Sequence, residues 1–190
     1  MRGVILYGPP ASGKDTLTDA LHQLDHRYRQ FLRLKAGPGR TVGYRMTTAD
    51  ELAALRASGD VVWENHRYGS WYVVDAPGLR QHLEVGVPVL HLGQVEAIDA
   101  VRQAFPEAQW TIVVLTCPRE VAEQRIVQRR TGDTAERLRA WDETKLAVTA
   151  HLTIDTSQMP PGLAAELVNQ RTQRNHLRHL HGFEQVTGHW

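Results

Sequence analysis

A glycine-rich stretch near the beginning of the chain combines residue types that bind phosphate. Residues 8–17 read GPPASGKDTL, with Gly8, Gly13 and Lys14 at the spacing of a phosphate-binding loop. Glycines in such a loop let backbone N–H groups converge on phosphate oxygens, and the following helix adds the positive end of its dipole. The motif predicts that Lys14 contacts the β- and γ-phosphates of ATP. The predicted nucleotide-binding residues of the loop are Gly8, Ala11, Ser12, Gly13, Lys14, Asp15 and Thr16.

Asp15 is the unusual member of this motif, because a Ser or Thr normally follows the lysine and coordinates Mg²⁺. Many proteins with this loop also place an acidic residue at the end of a neighbouring strand to hold the metal. The strand-like run at 87–92 is followed by no acidic residue before Glu96, and the run at 110–116 ends in Thr-Cys-Pro. We therefore hypothesise that Asp15 supplies part of the Mg²⁺ ligation that is missing elsewhere.

Arginines in a charged stretch from about 118 to 148 are candidates for stabilising a transferred phosphoryl group. Arg125 and Arg129 lie four residues apart on one face of a predicted helix, and Arg137 follows the polar break TGDT. A solvated helix with salt bridges explains the same pattern. The phosphate loop in the same chain favours a lid that closes over the phosphates. Lys14 and these three arginines are the predicted catalytic residues.

Short apolar runs alternate with helical patterns along most of the chain. The runs at 3–7, 87–92, 110–117 and 151–155 have the character of buried parallel strands. This alternation predicts an α/β fold with a mainly parallel sheet. The strand, glycine-rich turn and helix at residues 3–24 are the context that a phosphate loop requires.

Residues 27–75 interrupt this alternation of apolar runs and helical patterns, and they are rich in Arg, Tyr, Trp and Gly. Thr48 and Glu51 form the pattern of a capping box at the start of a short helix. Two aromatic pieces follow at 61–63 and 71–74. An insertion of this kind in a phosphate-loop protein is expected to cover the acceptor.

Composition limits the other classes of function. A chain of 190 residues with net charge +1 fits one domain, and it gives no general electrostatic case for binding nucleic acid or a membrane. A single cysteine, no signal peptide and no apolar run of about 18 residues lead us to expect a cytoplasmic protein. His176, His179 and His181 fit a helical tail better than a metal site.

Several segments together resemble guanylate kinase, from residue 1 to about 168. They are GPPASGKDTL, YRMTTADELAALRASGDVVW, WYVV and CPREVAEQRIVQRR, in that order. The chain is similar in particular to the sibling family of ribose 1,5-bisphosphate phosphokinases, whose loop also carries Gly-Lys-Asp. The resemblance implies a P-loop nucleoside-monophosphate-kinase fold. Its expected parts are a core of 1–26, 76–128 and 143–170, an acceptor-binding insertion at 27–75, an arginine lid at 129–142 and a tail at 171–190.

The same resemblance implies roles for individual residues. Arg129 would lie near the nucleotide phosphates and adenine, Arg125 and Arg137 would reach the transferred phosphoryl group, and Asp155 would lie in the adenine-side loop. Tyr44 and Tyr72 match the tyrosines that hold the acceptor phosphate. The paired acceptor arginines of the family match poorly, and the local basic candidates are Arg33, Lys35 and Arg40.

Three positions depart from the groups that read guanine in guanylate kinases: Val62, Val74 and Gly93. A site that loses hydrogen-bonding partners rejects its substrate strongly, so GMP is not the expected acceptor. Glu64, one place after Trp63, still offers a carboxylate, and with Asp75 it is the candidate base if the acceptor is an alcohol.

The expected function is therefore ATP- and Mg²⁺-dependent phosphorylation of a small phosphorylated acceptor, either a sugar phosphate such as ribose 1,5-bisphosphate or an atypical nucleoside monophosphate. The alternatives are a non-catalytic nucleotide-binding module and a true guanylate kinase with a diverged base pocket. The sequence leaves open whether the protein is a monomer or a homodimer.

Overall fold

The computed structural model describes residues 1–67, 69–130 and 132–184, with side chains through Asn175. The side chains of His176, His179 and His181 lie outside the described residues. Within the described part the strands are β1 (Arg2–Tyr7), β2 (Tyr28–Gln30), β3 (Leu34–Ala36), β4 (Arg45–Met46), β5 (Val61–Arg67), β6 (Ser70–Asp75), β7 (Val87–Leu92), β8 (Gln109–Thr116) and β9 (Leu152–Asp155). The helices are α1 (Lys14–Leu24), α2 (Ala49–Ala57), α3 (Ala76–Val85), α4 (Val95–Ala104), α5 (Arg119–Gln128), α6 (Thr134–Glu143) and α7 (Pro161–Glu184).

A parallel sheet in the order β2-β7-β1-β8-β9 forms the centre of the fold. Successive side chains of a strand point to opposite faces, so alternate residues of β1 enter two different cores. Ile5 and Tyr7 pack with residues of α3 and α4, whereas Val4 and Leu6 pack with residues of α1 and α7. The predicted α/β fold with a mainly parallel sheet is confirmed, as three layers of helix, sheet and helix.

The carboxyl ends of β7, β1 and β8 meet around the glycine-rich loop. The backbone N–H of Gly8 donates to the carbonyl of Leu92 over 3.4 Å. A Cβ atom at Gly8 would lie 2.4 Å from the carbonyl oxygen of Leu115, so no larger residue fits between the strands. The three central strands thereby fix where the loop begins.

Most of the predicted insertion forms a second sheet in the order β4-β3-β6-β5. The capping box of Thr48 and Glu51 at the start of α2 is confirmed. The predicted start of the insertion at residue 27 is wrong, because β2 pairs with β7 in the central sheet. Tyr28 is 1% exposed, and its hydroxyl donates to Asn169 of α7.

Two other predicted boundaries also change. The helical pattern from about 118 to 148 ends at Glu143, because the following segment runs over the core. Tyr7 donates from its hydroxyl to the carbonyl of Lys145 over 2.6 Å, and Val148 packs against the core. The predicted tail does not separate from the core at residue 171, since α7 continues through that point and Thr172 is buried. No helix among the described residues is long and apolar enough to cross a membrane.

An ion pair between Arg45 and Asp75 joins the second sheet to the core. Asp75 is buried, accepts the N–H of Gly78 as the cap of α3, and pairs with the Arg45 guanidinium. Arg45 also donates to the carbonyl of Leu32 and stacks over Phe31, with 5.1 Å from its Cζ to the ring centre. Asp75 is thus engaged in structure, and the expectation that it acts as a base toward an alcohol acceptor is not met.

We predict that Asp75→Ala lowers the free energy of unfolding by about 2 to 4 kcal/mol, since it removes a helix cap and leaves a half-buried guanidinium without its carboxylate. Urea denaturation followed by circular dichroism measures the change. Asp99→Ala is the matched control, because that carboxylate lies on α4, is 61% exposed, and is as far as 3.9 Å from Arg102. The control is expected to stay within about 0.5 kcal/mol of the parent protein. Equal effects of the two substitutions would contradict the assigned role of Asp75.

Candidate active site

The glycine-rich loop joins β1 to α1 and surrounds its own lysine. Gly13 caps α1 with a φ of 92°, a left-handed conformation that favours glycine. Ala11 has a φ of 59°, an uncommon conformation for a residue with a side chain. The Lys14 ammonium donates to the carbonyls of Gly8 and Pro9, both over 2.7 Å. The loop therefore holds a positive charge at its centre, as a phosphate site requires.

Burial lowers the pKa of Lys14 from 10.5 to about 8. The nearby charge of Asp15 opposes this shift, while the charges of Arg33 and Arg129 add to it. Cations from two other parts of the chain thus act on this ammonium group. A phosphate bound among them would relieve their repulsion.

Asp15 lies at the first turn of α1, between the core and the lid. Its Oδ1 is 3.4 Å from Nδ1 of His91, and its Oδ2 is 3.3 Å from an Nη atom of Arg129. The hydrogen bond with His91 is the largest cause that lowers the pKa of Asp15, and the neighbouring cations lower it further. Asp15 is therefore ionised at neutral pH.

His91 is a site residue that the sequence pattern did not indicate, since an acidic residue is the expected side chain at the end of such a strand. Its Nε2 lies 2.7 Å from the hydroxyl of Thr18, and its Nδ1 lies 3.3 Å from the amide nitrogen of Gln30. Burial lowers the pKa of His91, although Asp15 opposes the shift. The signal available in the sequence was its position, since the carboxyl end of a strand next to β1 must face the loop.

The oxygens of Asp15 suit a hard cation such as Mg²⁺. The described residues contain no group of three His, Cys, Asp or Glu side chains arranged to hold a metal ion by themselves. Mg²⁺ in phosphate-transfer sites is normally held by one or two carboxylates together with phosphate oxygens and water. The Asp15 side chain is 56% exposed, so its carboxylate is accessible for such partial ligation.

A cavity of about 820 Å³ separates the glycine-rich loop from the second sheet and the lid. Among the described residues that line it, cations outnumber acids. The cations are Lys14, Arg33, Lys35, Arg40, Arg67, Arg129 and Arg137, and the acids are Asp15 and Asp133. Both acids are already paired with lid arginines, Asp15 with Arg129 and Asp133 with Arg137. The cavity consequently favours an anionic ligand.

Arg33 is the basic candidate whose guanidinium is best placed to meet a ligand. It lies over the ring of Tyr72, with 5.4 Å from its Cζ to the ring centre, and burial lowers its pKa. The rings of Tyr44 and Tyr72 are 5.3 Å apart and line the same wall of the cavity. The structure therefore brings together three residues that the resemblance assigned to the acceptor phosphate or to its neighbourhood.

Lys35 and Arg40 mainly shape the loop beside this wall. The Lys35 side chain is buried, and its ammonium donates to the carbonyls of Pro38 and Arg40 over 2.6 and 2.7 Å. Arg40 donates from Nε to the carbonyl of Val42 over 2.9 Å. Both line the cavity, and Lys35 adds positive charge from below the loop.

The predicted lid arginines occupy different positions. Arg125 donates to the carbonyl of Ala11 over 3.1 Å and to the hydroxyl of Thr156 over 3.0 Å, which fixes it against the outer side of the loop. There it lines a smaller cavity of about 340 Å³ together with Arg129. Arg137 lines the larger cavity and donates to Asp133 over 2.7 Å. Arg129 is the arginine that borders both spaces.

Two of the predicted carboxylates pair with other residues and do not line the two cavities. Asp155 accepts from the N–H and the hydroxyl of Ser157, and its neighbour Thr156 lines the smaller cavity instead. Glu64 pairs with Arg56 of α2 over 2.9 Å, on the face of β5 opposite the larger cavity. The residues of β5 that line the cavity are Asn65 and Arg67. The expectation that Glu64 meets the acceptor is therefore not met.

Comparison with known proteins supports the fold assignment. No family model and no curated protein matches the chain. A guanylate kinase from Anaplasma phagocytophilum is 15% identical with a TM-score of 0.58, and the match covers 91% of this chain and 86% of that one. A protein called APE1195 is 16% identical with a TM-score of 0.51, covering 90% of this chain and 95% of that one.

A shikimate kinase from Acinetobacter baumannii, solved in complex with shikimate, is 19% identical with a TM-score of 0.45, covering 91% of this chain and 93% of that one. That superposition is too loose to add to the assignment. The guanylate kinase match and the glycine-rich loop between β1 and α1 show that the chain has the fold of P-loop kinases.

The electrostatics of the loop can be tested directly. We predict that Lys14 titrates with a pKa of about 8, so its charge is complete below that pH and is lost as the pH rises through it. Lys14, Lys35 and Lys145 are the lysines of the sequence, so NMR of ¹³Cε-labelled lysine gives few signals to assign. Lys14→Arg identifies the Lys14 signal, and Lys145→Arg serves as the control. A Lys14 midpoint near 10.5 would contradict the described burial.

Proposed function

We propose that the protein is an ATP- and Mg²⁺-dependent kinase that transfers the γ-phosphoryl group to a small acceptor already carrying a phosphate. The observation that carries the proposal is the shared cavity: Lys14 of the phosphate loop and Arg33 beside Tyr72 line the same cation-rich space. Two cationic elements that line one cavity would fit one donor phosphate and one acceptor phosphate. The P-loop kinase fold supports this interpretation.

The nucleotide would occupy both cavities around the loop. Its phosphates would bind the loop N–H groups and Lys14, in place of the carbonyls that Lys14 now contacts. Its base would extend into the smaller space beside Thr16, Arg125 and Thr156. Asp15 would contribute to holding Mg²⁺, and the bound ion would supply positive charge that neutralises the phosphates.

Positioning and electrostatics would supply most of the catalysis. An oxygen of the acceptor attacks the γ-phosphorus, the bond to the β–γ bridging oxygen breaks, and ADP leaves. Lys14, Arg129 and Arg137 line the larger cavity, where they would stabilise the negative charge of the transferred group. A phosphate oxygen of the acceptor is already ionised, so the transfer needs no general base.

The three positions that depart from guanylate kinases support a sugar phosphate over GMP as the acceptor. Val74 is fully buried in the core, Val62 packs against that core, and Gly93 offers no side chain. These positions cannot donate or accept side-chain hydrogen bonds to a guanine ring. A sugar phosphate such as ribose 1,5-bisphosphate needs cations rather than base-reading groups, which agrees with the charge of the lining residues.

A coupled ATP-consumption assay tests the proposed reaction. The panel consists of ribose phosphates and bisphosphates, nucleoside monophosphates and unphosphorylated nucleosides. We expect phosphorylated sugars to be the best acceptors, and Lys14→Met to lower kcat by at least about 100-fold. Slow ATP turnover on every acceptor, unchanged by Lys14→Met, would indicate a non-catalytic nucleotide-binding module. Strong activity on GMP would indicate a guanylate kinase with a diverged base pocket.

Arg33→Met tests the proposed binding of the acceptor phosphate separately from the binding of the nucleotide. Because a charge-assisted hydrogen bond to phosphate would be lost, we expect KM for the acceptor to rise roughly 10- to 100-fold while KM for ATP changes little. Arg27→Met is the matched control, since Arg27 pairs with Asp25 on the surface and lies outside the cavity. A parallel rise of both KM values would show that Arg33 does not act at the acceptor alone.

A further inference from the structure

His91 lies near the carboxyl end of β7, and many phosphate-loop proteins carry a metal-holding acid at the end of such a strand. It lies on β7, which pairs directly with β1, and Leu6 is its partner in the register. The chain has instead an acid one position after the loop lysine, where a hydroxyl residue is usual. In this chain the acid is therefore on the helix, as Asp15, and the strand carries His91 in place of an acid.

The contacts of His91 hold its ring in one orientation. On one side Nε2 accepts from the hydroxyl of Thr18 over 2.7 Å, which leaves the proton of the neutral ring on Nδ1. On the other side Nδ1 faces Asp15 Oδ1 at 3.4 Å. Thr18 is 4% exposed, and the side chain of His91 is 12% exposed. The ring is therefore a buried support between the helix and the carboxylate.

We propose that His91 is the positioning residue for Asp15, holding one carboxylate oxygen so that the Asp15 carboxylate faces the phosphate site and can share a metal ion with the nucleotide. This inference rests on the proposed function, because it concerns the Mg²⁺ that would accompany ATP. Groups that orient a metal-ligating side chain typically change metal affinity about 10- to 100-fold when they are removed. His91 acts through Asp15 and does not itself touch the substrate.

The arrangement also explains why Asp15 does not simply repel the nucleotide. Its Oδ1 faces His91, and its Oδ2 faces Arg129, so the carboxylate is held at both oxygens before any phosphate arrives. When Arg129 turns to the phosphates, the freed oxygen can face the metal ion while His91 retains the other one. A carboxylate without that second support could rotate away from the site.

The test measures how strongly Mg²⁺ improves the binding of a non-hydrolysable ATP analogue, by calorimetry with and without the metal. For His91→Leu we expect this Mg²⁺-dependent gain to fall about tenfold or more, while binding without metal stays close to that of the parent protein. His22→Asn is the matched control. His22 lies on the same helix as Asp15, but its ring bonds the carbonyl of Tyr28 and it does not line the cavity. The control is expected to keep the full gain.

The double variant Asp15→Ser with His91→Asp is a second test, which does not depend on whether His91→Leu folds. It restores the common arrangement, with a hydroxyl after the lysine and an acid on the strand. We expect Asp15→Ser alone to lose the Mg²⁺-dependent gain and the double variant to recover most of it. An unchanged gain in His91→Leu, or no recovery in the double variant, would overturn the inference and leave the proposed kinase function standing. Absence of nucleotide binding in the parent protein would overturn the proposed function itself, and this inference with it.

Discussion

Repulsion among cations is the constraint on which the rest of this structure depends. Positive side chains from the loop, the second sheet and the lid converge on one cavity, and each must find a partner when no phosphate is present. The chain supplies these partners from its own backbone and from a few acids. Lys14 uses carbonyls of its loop, and Arg129 and Arg137 use Asp15 and Asp133.

Two lysines that line the cavity are satisfied in the same way. Lys14 and Lys35 each donate to two backbone carbonyls that lie within six residues of them in the chain. Such bonds satisfy a buried ammonium without neutralising it, so the charge remains available to an anion. A carboxylate in place of these carbonyls would have neutralised the ammonium charge that attracts an anion to the cavity. Backbone carbonyls therefore fold the loops and preserve the charge at the same time.

The sequence was sufficient where the signal is local. Alternating apolar runs and the glycine pattern predicted the central strands and the loop, because strand burial and positive φ values demand particular residue types. The sequence could not show which face of β5 carries the Glu64 side chain. Pairing between β5 and β6 shifts register between Val61 and Trp63, and that irregularity turns Asn65 rather than Glu64 toward the cavity. The contact between Asp15 and His91 joins residues far apart in the chain, so no local pattern marked it.

Asp15 connects this charge balance to the lid. It holds Arg129, which borders both cavities, while its other oxygen stays with His91 of the core. An arriving phosphate competes for Arg129 with a single carboxylate, and it offers more oxygens and more charge than Asp15 does. Under the proposed function, the arginine would transfer to the ligand, and the carboxylate that it leaves behind would meet the metal ion brought by the same ligand. Asp15 would then have two roles: it pairs with Arg129 in this structure, and it would offer a metal ligand once the nucleotide is bound.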